Sequence, residues 1–115
     1  MKKIIILALV GITSIGLTSS VQAKDVALSI CELTASDQKS KLRTFVNANN
    51  LKIRRIYRSL ECNGMGILKF AASKGSVDVG TYYIGKIPRS QLKKVIGELE
   101  DLSPDLYEIA LKRLE

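Results

Sequence analysis

The segment "CNGMGILKFAASKGSVDVGTYYI", residues 62–84, decides the fold because it sets two short apolar runs on either side of one glycine. The first run, over 67–72, predicts a short, mostly buried helix whose two alanines would let another helix pack closely. The second run, over 77–84, predicts another helix with Gly80 as a soft spot inside it. Because Gly75 can adopt the backbone conformation of a tight reversal, the segment predicts a helical hairpin.

The rest of the chain repeats this helical spacing, so the predicted fold class is all-α, with short helices paired as helical hairpins. Further helices are predicted over 26–35, where a strand is the alternative, and over 38–48 and 51–61, and two more follow Pro88 and Ser103. Ser36 or Asp37 is a typical N-cap for the helix over 38–48. Asparagines at 49 and 50 would end that helix, and the Asn-Gly pair at 63–64 indicates a turn.

The stretch "LKIRRIYRSLE", residues 51–61, predicts an amphipathic helix. Its apolar side chains fall within one narrow arc of a helical wheel: Ile53, Ile56, Tyr57 and Leu60. Its basic side chains form the opposite arc, with Arg54 at the margin, and this arc is a candidate face for binding an anion or a partner: Lys52, Arg54, Arg55 and Arg58, with Lys41 and Arg43 as extensions. The alternative, which such faces represent more often, is a solvated surface without a binding role.

The first 23 residues, "MKKIIILALVGITSIGLTSSVQA", have a basic start, an apolar middle and small residues before Lys24. This pattern predicts a cleavable signal peptide over 1–23, with cleavage after Ala23. The apolar run is shorter than the roughly 20 residues that a membrane-spanning helix needs, although an uncleaved anchor is the alternative. Residues 24–115 would then form a single small helical domain without a transmembrane segment, placed in the periplasm or secreted.

Cys31 and Cys62 are the only cysteines in the chain. An even number of cysteines in an exported domain predicts a disulfide, which the chain-entropy model values at roughly 3–4 kcal/mol for this spacing. Two buried free thiols or half of a metal site are the alternatives. A metal site is disfavoured, because the chain has no histidine and structural zinc requires four nitrogen or sulfur ligands.

No catalytic constellation can be recognised in the sequence. The absence of histidine removes the usual general base and the Ser-His-Asp triad. The chain also lacks a phosphate-binding glycine loop and a C-x-x-C redox motif. We therefore expect no enzymatic activity, no cofactor and no metal, and we keep a small hydrolase using carboxylates or a Ser-Lys pair as an alternative.

Two resemblances follow from these residues. The run "NGMGILKFAASKGSVDVGTYYI" resembles one ankyrin-type helical repeat, and an earlier unit over 30–49 can be laid on the same pattern with Asp37 at the glycine position. This resemblance implies an ankyrin-like stack. The early cysteine, "LKIRRIY", "CNG" and "LKFAAS" together resemble a family of small exported proteins of Gram-negative marine bacteria, known only as a domain of unknown function. That resemblance covers about residues 26–90 and implies a disulfide-bonded, exported domain without an assigned activity.

The expected function is a periplasmic, non-enzymatic interaction module whose partner is a protein. The alternative is a binder of anionic envelope lipid or polysaccharide, acting through the basic face. Nucleic acid is not expected as a partner, because the chain carries no nucleic-acid-binding motif and an exported protein seldom meets chromosomal DNA.

Overall fold

The computed structural model describes residues 25–115, which form seven helices and one two-stranded hairpin. In chain order the elements are α1 (25–35), α2 (Lys39–Ala48), α3 (Ile53–Ile56), β1 (Glu61–Cys62), β2 (Met65–Gly66), α4 (Ile67–Ser73), α5 (Val77–Lys86), α6 (Arg89–Leu102) and α7 (Pro104–Leu114). The predicted all-α class is confirmed, with the short hairpin as an addition. The predicted signal peptide lies outside the described residues. Over 25–115, no helix combines the length and the apolar character needed to cross a membrane.

Three helices end in the same way, each on a residue with positive φ. Asp37 follows α1 with φ 54°, Asn50 follows α2 with φ 54°, and Gly75 follows α4 with φ 70°. After α4, the Ser76 N–H donates to the Ala71 carbonyl at 2.9 Å and the Gly75 N–H donates to the Ala72 carbonyl at 3.1 Å. This pair of bonds is the Schellman motif, and α1 and α2 end with equivalent pairs. The predicted helical hairpin and its glycine turn are therefore confirmed.

Asp37 has a different role from the predicted one. The N-cap of α2 is Gln38, which makes no side-chain capping bond, so the prediction that Ser36 or Asp37 caps this helix is wrong. The Asp37 carboxylate instead accepts the N–H of Val79, the third residue of α5, at 2.8 Å. Because Asp37 already ends α1 in the left-handed conformation, its side chain reaches a helix that is distant in sequence. The α1–α2 turn is thereby tied to the start of α5.

The amphipathic helix predicted over 51–61 is only partly present. α3 is a single turn, Ile53–Ile56, and the chain then enters β1, which pairs with β2 across a turn at Asn63 (φ 55°) and Gly64 (φ 75°). Asn-Gly with positive φ at both positions favours a two-residue hairpin, and this turn competes with a longer helix. The apolar stripe still faces inward, with Ile53 buried and its other three members half-buried.

The C-terminal helices pack closely on α5. A Cβ atom at Gly80 would lie 2.5 Å from a Leu106 methyl carbon, so Gly80 is a point of close approach between α5 and α7 rather than a soft spot. The Ser103 hydroxyl accepts the Leu106 N–H at 3.3 Å, and Pro104 occupies the first turn, as predicted for α7. The Arg113 guanidinium donates to the Ile84 and Ile87 carbonyls, both at 2.7 Å. These bonds tie the end of α7 to the end of α5.

One apolar core receives side chains from every helix of the described part. Inside it, the hydroxyl groups of Tyr83 on α5 and Thr34 on α1 lie 2.6 Å apart in a hydrogen bond. Burial raises the pKa of Tyr83 to about 12, opposed by this bond. The ankyrin-type stack is not borne out: α3 and the hairpin separate the two helix pairs, and the Cys31–Cys62 disulfide attaches this insertion to α1.

Candidate functional site

A groove lies where α2, α3 and α5 meet, and we call it the basic groove. It is lined by Val46, Asn47, Leu51, Lys52, Ile53, Arg54, Tyr82 and Lys86. Val46 and Ile53 are buried beneath it, Leu51 and Tyr82 contribute half-buried apolar surface, and the surface that the groove presents is mostly polar. Its rim carries three exposed cations, Lys52, Arg54 and Lys86, and none of the lining residues is acidic.

The turn after α2 places two of these cations. The Leu51 N–H donates to the Val46 carbonyl at 2.9 Å, which reverses the chain immediately after Asn50. Lys52 is the N-cap of α3, and burial of Ile53 fixes the orientation of this single turn. Since neighbouring residues on a helix point about 100° apart, the side chain of Arg54 is directed away from the core. Lys52 and Arg54 therefore stand beside the end of α2.

The side of the groove formed by α5 supplies an aromatic ring and a third cation. The Lys86 ammonium lies 5.9 Å from the centroid of the Tyr82 ring, within the range of a cation–π contact. Burial raises the pKa of Tyr82 above its usual value of 10, and the positive charge of Arg43 opposes this rise. The phenol is therefore protonated at neutral pH and can donate a hydrogen bond. Together these groups suit an acceptor with negative charge, such as a carboxylate, phosphate or sulfate.

The basic face predicted from sequence is divided by the structure. All four of its members, Lys52, Arg54, Arg55 and Arg58, are exposed. Lys52 and Arg54 line the basic groove, whereas Arg55 and Arg58 lie outside its lining. Of the two suggested extensions, Arg43 opposes the rise of the Tyr82 pKa through its positive charge, and Lys41 lines a different depression on α2.

Sequence reasoning missed Tyr82 and Lys86. They belong to a helix that is remote in sequence from 51–61, and only the packing of α5 against α2 and α3 brings them to the groove. A lysine in the last turn of α5 is equally explained by the negative end of the helix dipole, so its position alone gave no signal of a site.

The Cys31–Cys62 disulfide is confirmed, with a Cα separation of 5.7 Å. It joins α1 to β1, so it anchors the chain just after the segment that carries Lys52 and Arg54. Within residues 25–115, no cluster of three or more histidine, cysteine, aspartate or glutamate side chains could hold a metal ion.

Comparison with known families gives a match over more than half of the chain. A family model described as a protein of unknown function, DUF3718, matches residues 30–94. The chain belongs to the DUF3718 family. The range shared with DUF3718 contains both cysteines and every residue that lines the basic groove, and the resemblance to a domain of unknown function is confirmed. No curated protein and no solved structure matches the chain.

Proposed function

We propose that the protein is an exported, non-enzymatic interaction module whose basic groove binds acidic groups of a protein partner. The observation that carries this proposal is the convergence of Lys52, Arg54 and Lys86 around Tyr82, with no acidic residue in the lining. Among the residues that the structure describes, the one salt bridge joins Lys69 to Glu98 at 3.6 Å. The three groove cations are thus available to carboxylates of a partner.

The half-buried side chains of Leu51 and Tyr82, which lie among the cations, favour a protein over a small anion. Exposed ion pairs contribute only about 0–1 kcal/mol each, so three of them give weak binding on their own. Burial of apolar surface adds roughly 25 cal/mol per Å², and here it would involve Leu51 and the Tyr82 ring. A protein segment can cover this apolar surface while it presents carboxylates to the rim, whereas an isolated anion cannot.

Export is part of the same proposal. The signal-like pattern over 1–23 supports it, and so does the disulfide, because disulfides persist mainly in oxidising compartments such as the periplasm. The intact mass of the protein isolated from the periplasm should correspond to a chain that begins at Lys24. Recovery of the full-length chain from the cytoplasm, with both thiols reduced, would contradict export.

The groove is tested by capture from periplasmic extract at low and at high salt. Two triple variants carry the same loss of charge: Lys52→Ala/Arg54→Ala/Lys86→Ala removes the groove cations, and Lys93→Ala/Lys94→Ala/Lys112→Ala removes exposed cations of α6 and α7. The parent and the second variant should retain the same protein at low salt, and the groove variant should lose it. Equal capture by all three forms would rule the groove out as the binding site.

A second candidate, binding of anionic envelope lipid or polysaccharide, is favoured by one observation. Arg55 and Arg58 are exposed in the same segment as Lys52 and Arg54 but do not line the groove, so exposed positive charge extends beyond the groove itself. The double variant Arg55→Ala/Arg58→Ala separates the two candidates, because a flat anionic surface would contact these arginines and a groove ligand would not. Cosedimentation with phosphatidylglycerol vesicles that weakens in this variant and at high salt would support the second candidate.

A further inference from the structure

The opposite side of α2 carries a second depression, which we call the apolar groove. Leu33 of α1 and Phe45 and Ala48 of α2 form most of its lining, with Thr44, Ser40 and Lys41 at its edge. Leu33 and Phe45 are half-buried and pack against the core with their inner atoms, so the remaining apolar surface faces solvent. Ala48 and Thr44 are exposed.

The exposed face of α2 connects the two grooves. A shallow depression along this face is lined by Ser40, Arg43, Thr44 and Asn47. Ser40 and Thr44 also line the apolar groove, and Asn47 also lines the basic groove. The three depressions therefore form one surface across α2, and no acidic residue lines any of them. Asp25, Asp37 and Asp78 line two further depressions that adjoin the apolar groove, so the acidic side chains lie at the end of the surface that is remote from the basic groove.

We propose that this surface binds an acidic, amphipathic peptide segment of the partner, which crosses α2 with an apolar side chain in the apolar groove and carboxylates at the basic groove. The inference deepens the proposed function and rests on it. Charge complementarity identifies the acidic part, because Lys52, Arg54 and Lys86 line the basic groove and Arg43 lines the depression that leads to it. The apolar groove identifies the rest, since an extended polyanion would leave it uncovered.

The width of α2 sets the spacing of the ligand residues. A helix with its side chains is about 10–12 Å across, and an extended chain advances roughly 3.3 Å per residue. A segment that crosses α2 in an extended form should therefore carry its apolar and acidic residues about three or four positions apart. Between them, the Asn47 amide can donate to and accept from the backbone of the segment, and the Thr44 hydroxyl, which donates to the Ser40 carbonyl at 3.1 Å, can accept a backbone N–H.

The test is selection of a random peptide display library on the disulfide-bonded protein purified from the periplasm. Enriched peptides should combine Asp or Glu with Leu, Ile or Phe about three or four residues away. Their affinity should fall about tenfold or more in Lys52→Ala/Arg54→Ala/Lys86→Ala and stay within about twofold in Lys93→Ala/Lys94→Ala/Lys112→Ala. Every substituted side chain is exposed, and thermal melting checks that each variant is folded.

Substitutions at exposed Ala48 test the apolar groove directly. Ala48→Glu should lower peptide affinity about tenfold or more, because it blocks the groove and repels acidic residues. Ala48→Lys should lower it less, because it blocks the groove but attracts the same residues.

Different negative results would contradict different claims. Acidic peptides that respond to the groove triple variant but not to Ala48→Glu would overturn this inference and leave the proposed function standing. Selection of peptides without acidic residues, which the triple variant and the parent bind equally well, would overturn both this inference and the proposed function. A selection that enriches no peptide would also overturn the inference, and capture from periplasmic extract would then decide the proposed function separately.

Discussion

Residues 51–66 and residues 67–86 are adjacent in sequence but are held in place by different means. In the first region, which we call the tethered segment, Ile53 and Cys62 are the only buried residues. In the second, the packed hairpin, α4 alone buries five residues: Ile67, Leu68, Phe70, Ala71 and Ala72. The packed hairpin is fixed by apolar burial, whereas the tethered segment combines two buried and several half-buried side chains with a covalent link to α1.

The basic groove joins these two regions. Lys52 and Arg54 come from the tethered segment, and Tyr82 and Lys86 come from the packed hairpin. The distance between the two pairs is therefore set partly by packing and partly by the disulfide. A region with few buried side chains can hold functional groups in a defined position when a cross-link limits its motion.

The largest expected effect is the loss of the disulfide. The double variant Cys31→Ala/Cys62→Ala should lose about 2–5 kcal/mol of unfolding free energy in urea titrations, as is typical for small exported domains. Reducing agent should destabilise the parent by a similar amount and leave the variant unchanged. If the variant were as stable as the parent, the tethered segment would not need its link, and the contrast between the two regions would fail.

The second prediction concerns Tyr83, which links the packed hairpin to α1. In the unfolded chain tyrosine ionises near pH 10, whereas burial raises the pKa of Tyr83 in the folded protein to about 12. Stability from the protonated phenol is fully present below about pH 10 and is lost as the pH rises towards 12, because only the unfolded chain ionises in this range. The loss should reach roughly 2–3 kcal/mol.

The variant Tyr83→Phe is the control for this alkaline loss. It should be about 0.5–1.5 kcal/mol less stable at neutral pH, where it lacks the bond to Thr34. Thr34 keeps its own bond to the Ile30 carbonyl at 2.7 Å, so no buried hydroxyl is left without a partner. Above about pH 10 the variant should lose less stability than the parent. Parallel pH curves for the two proteins would show that other groups cause the alkaline loss.

The contrast between the regions also explains what could be predicted from sequence. The packed hairpin was predicted correctly, because its apolar spacing, its glycine turn and its burial all favour the same structure. In the tethered segment, the amphipathic pattern favours a helix, whereas the Asn-Gly turn and the disulfide favour a hairpin. Only one turn of helix forms, and the chain then continues into the hairpin. Helical periodicity reports which side chains face inward and does not report where the helix ends.

The candidate site was predictable only where it is local in sequence. Lys52 and Arg54 were identified by their spacing on 51–61, but the groove also needs residues of α2 and α5. Asp37 shows the same limit, since its residue type fits an N-cap of the next helix while its actual acceptor role is at α5. Such partners follow from the packing of distant helices, for which a single sequence contains no direct signal.

The third prediction uses two glycines of the packed hairpin. Gly80→Ala should lower stability by about 1–3 kcal/mol, because the new methyl group would overlap buried Leu106. Gly85→Ala in the same helix meets no atom within 4 Å and should stabilise the protein by about 0.5–1 kcal/mol through helix propensity. Thermal melting of both variants measures this difference. Equal stabilisation by the two changes would show that α5 and α7 are not closely packed.

The fourth prediction compares two helix ends with the same backbone conformation. Asp37→Gly should cost about 0.5–2 kcal/mol, because it removes the carboxylate that accepts the Val79 N–H. Asn50→Gly changes a residue with the same φ of 54°, so it should alter stability by less than about 0.5 kcal/mol. Urea unfolding of the two variants isolates the capping bond. A loss of equal size at both positions would assign the effect to the backbone turn instead.

The smallest effect is expected at the exposed arginines of the tethered segment. Arg54→Ala/Arg55→Ala/Arg58→Ala should change the unfolding free energy by less than about 0.5 kcal/mol, because exposed charges without carboxylate partners contribute little to stability. Ile53→Val, in the same helical turn, removes one methylene from a buried side chain and should cost about 0.5–1.5 kcal/mol. Urea titrations at low and high salt measure both changes. A triple variant that loses more than about 1 kcal/mol would show that these arginines hold the tethered segment in place. A loss of partner binding in this triple variant could then not be distinguished from a loss of its folded structure.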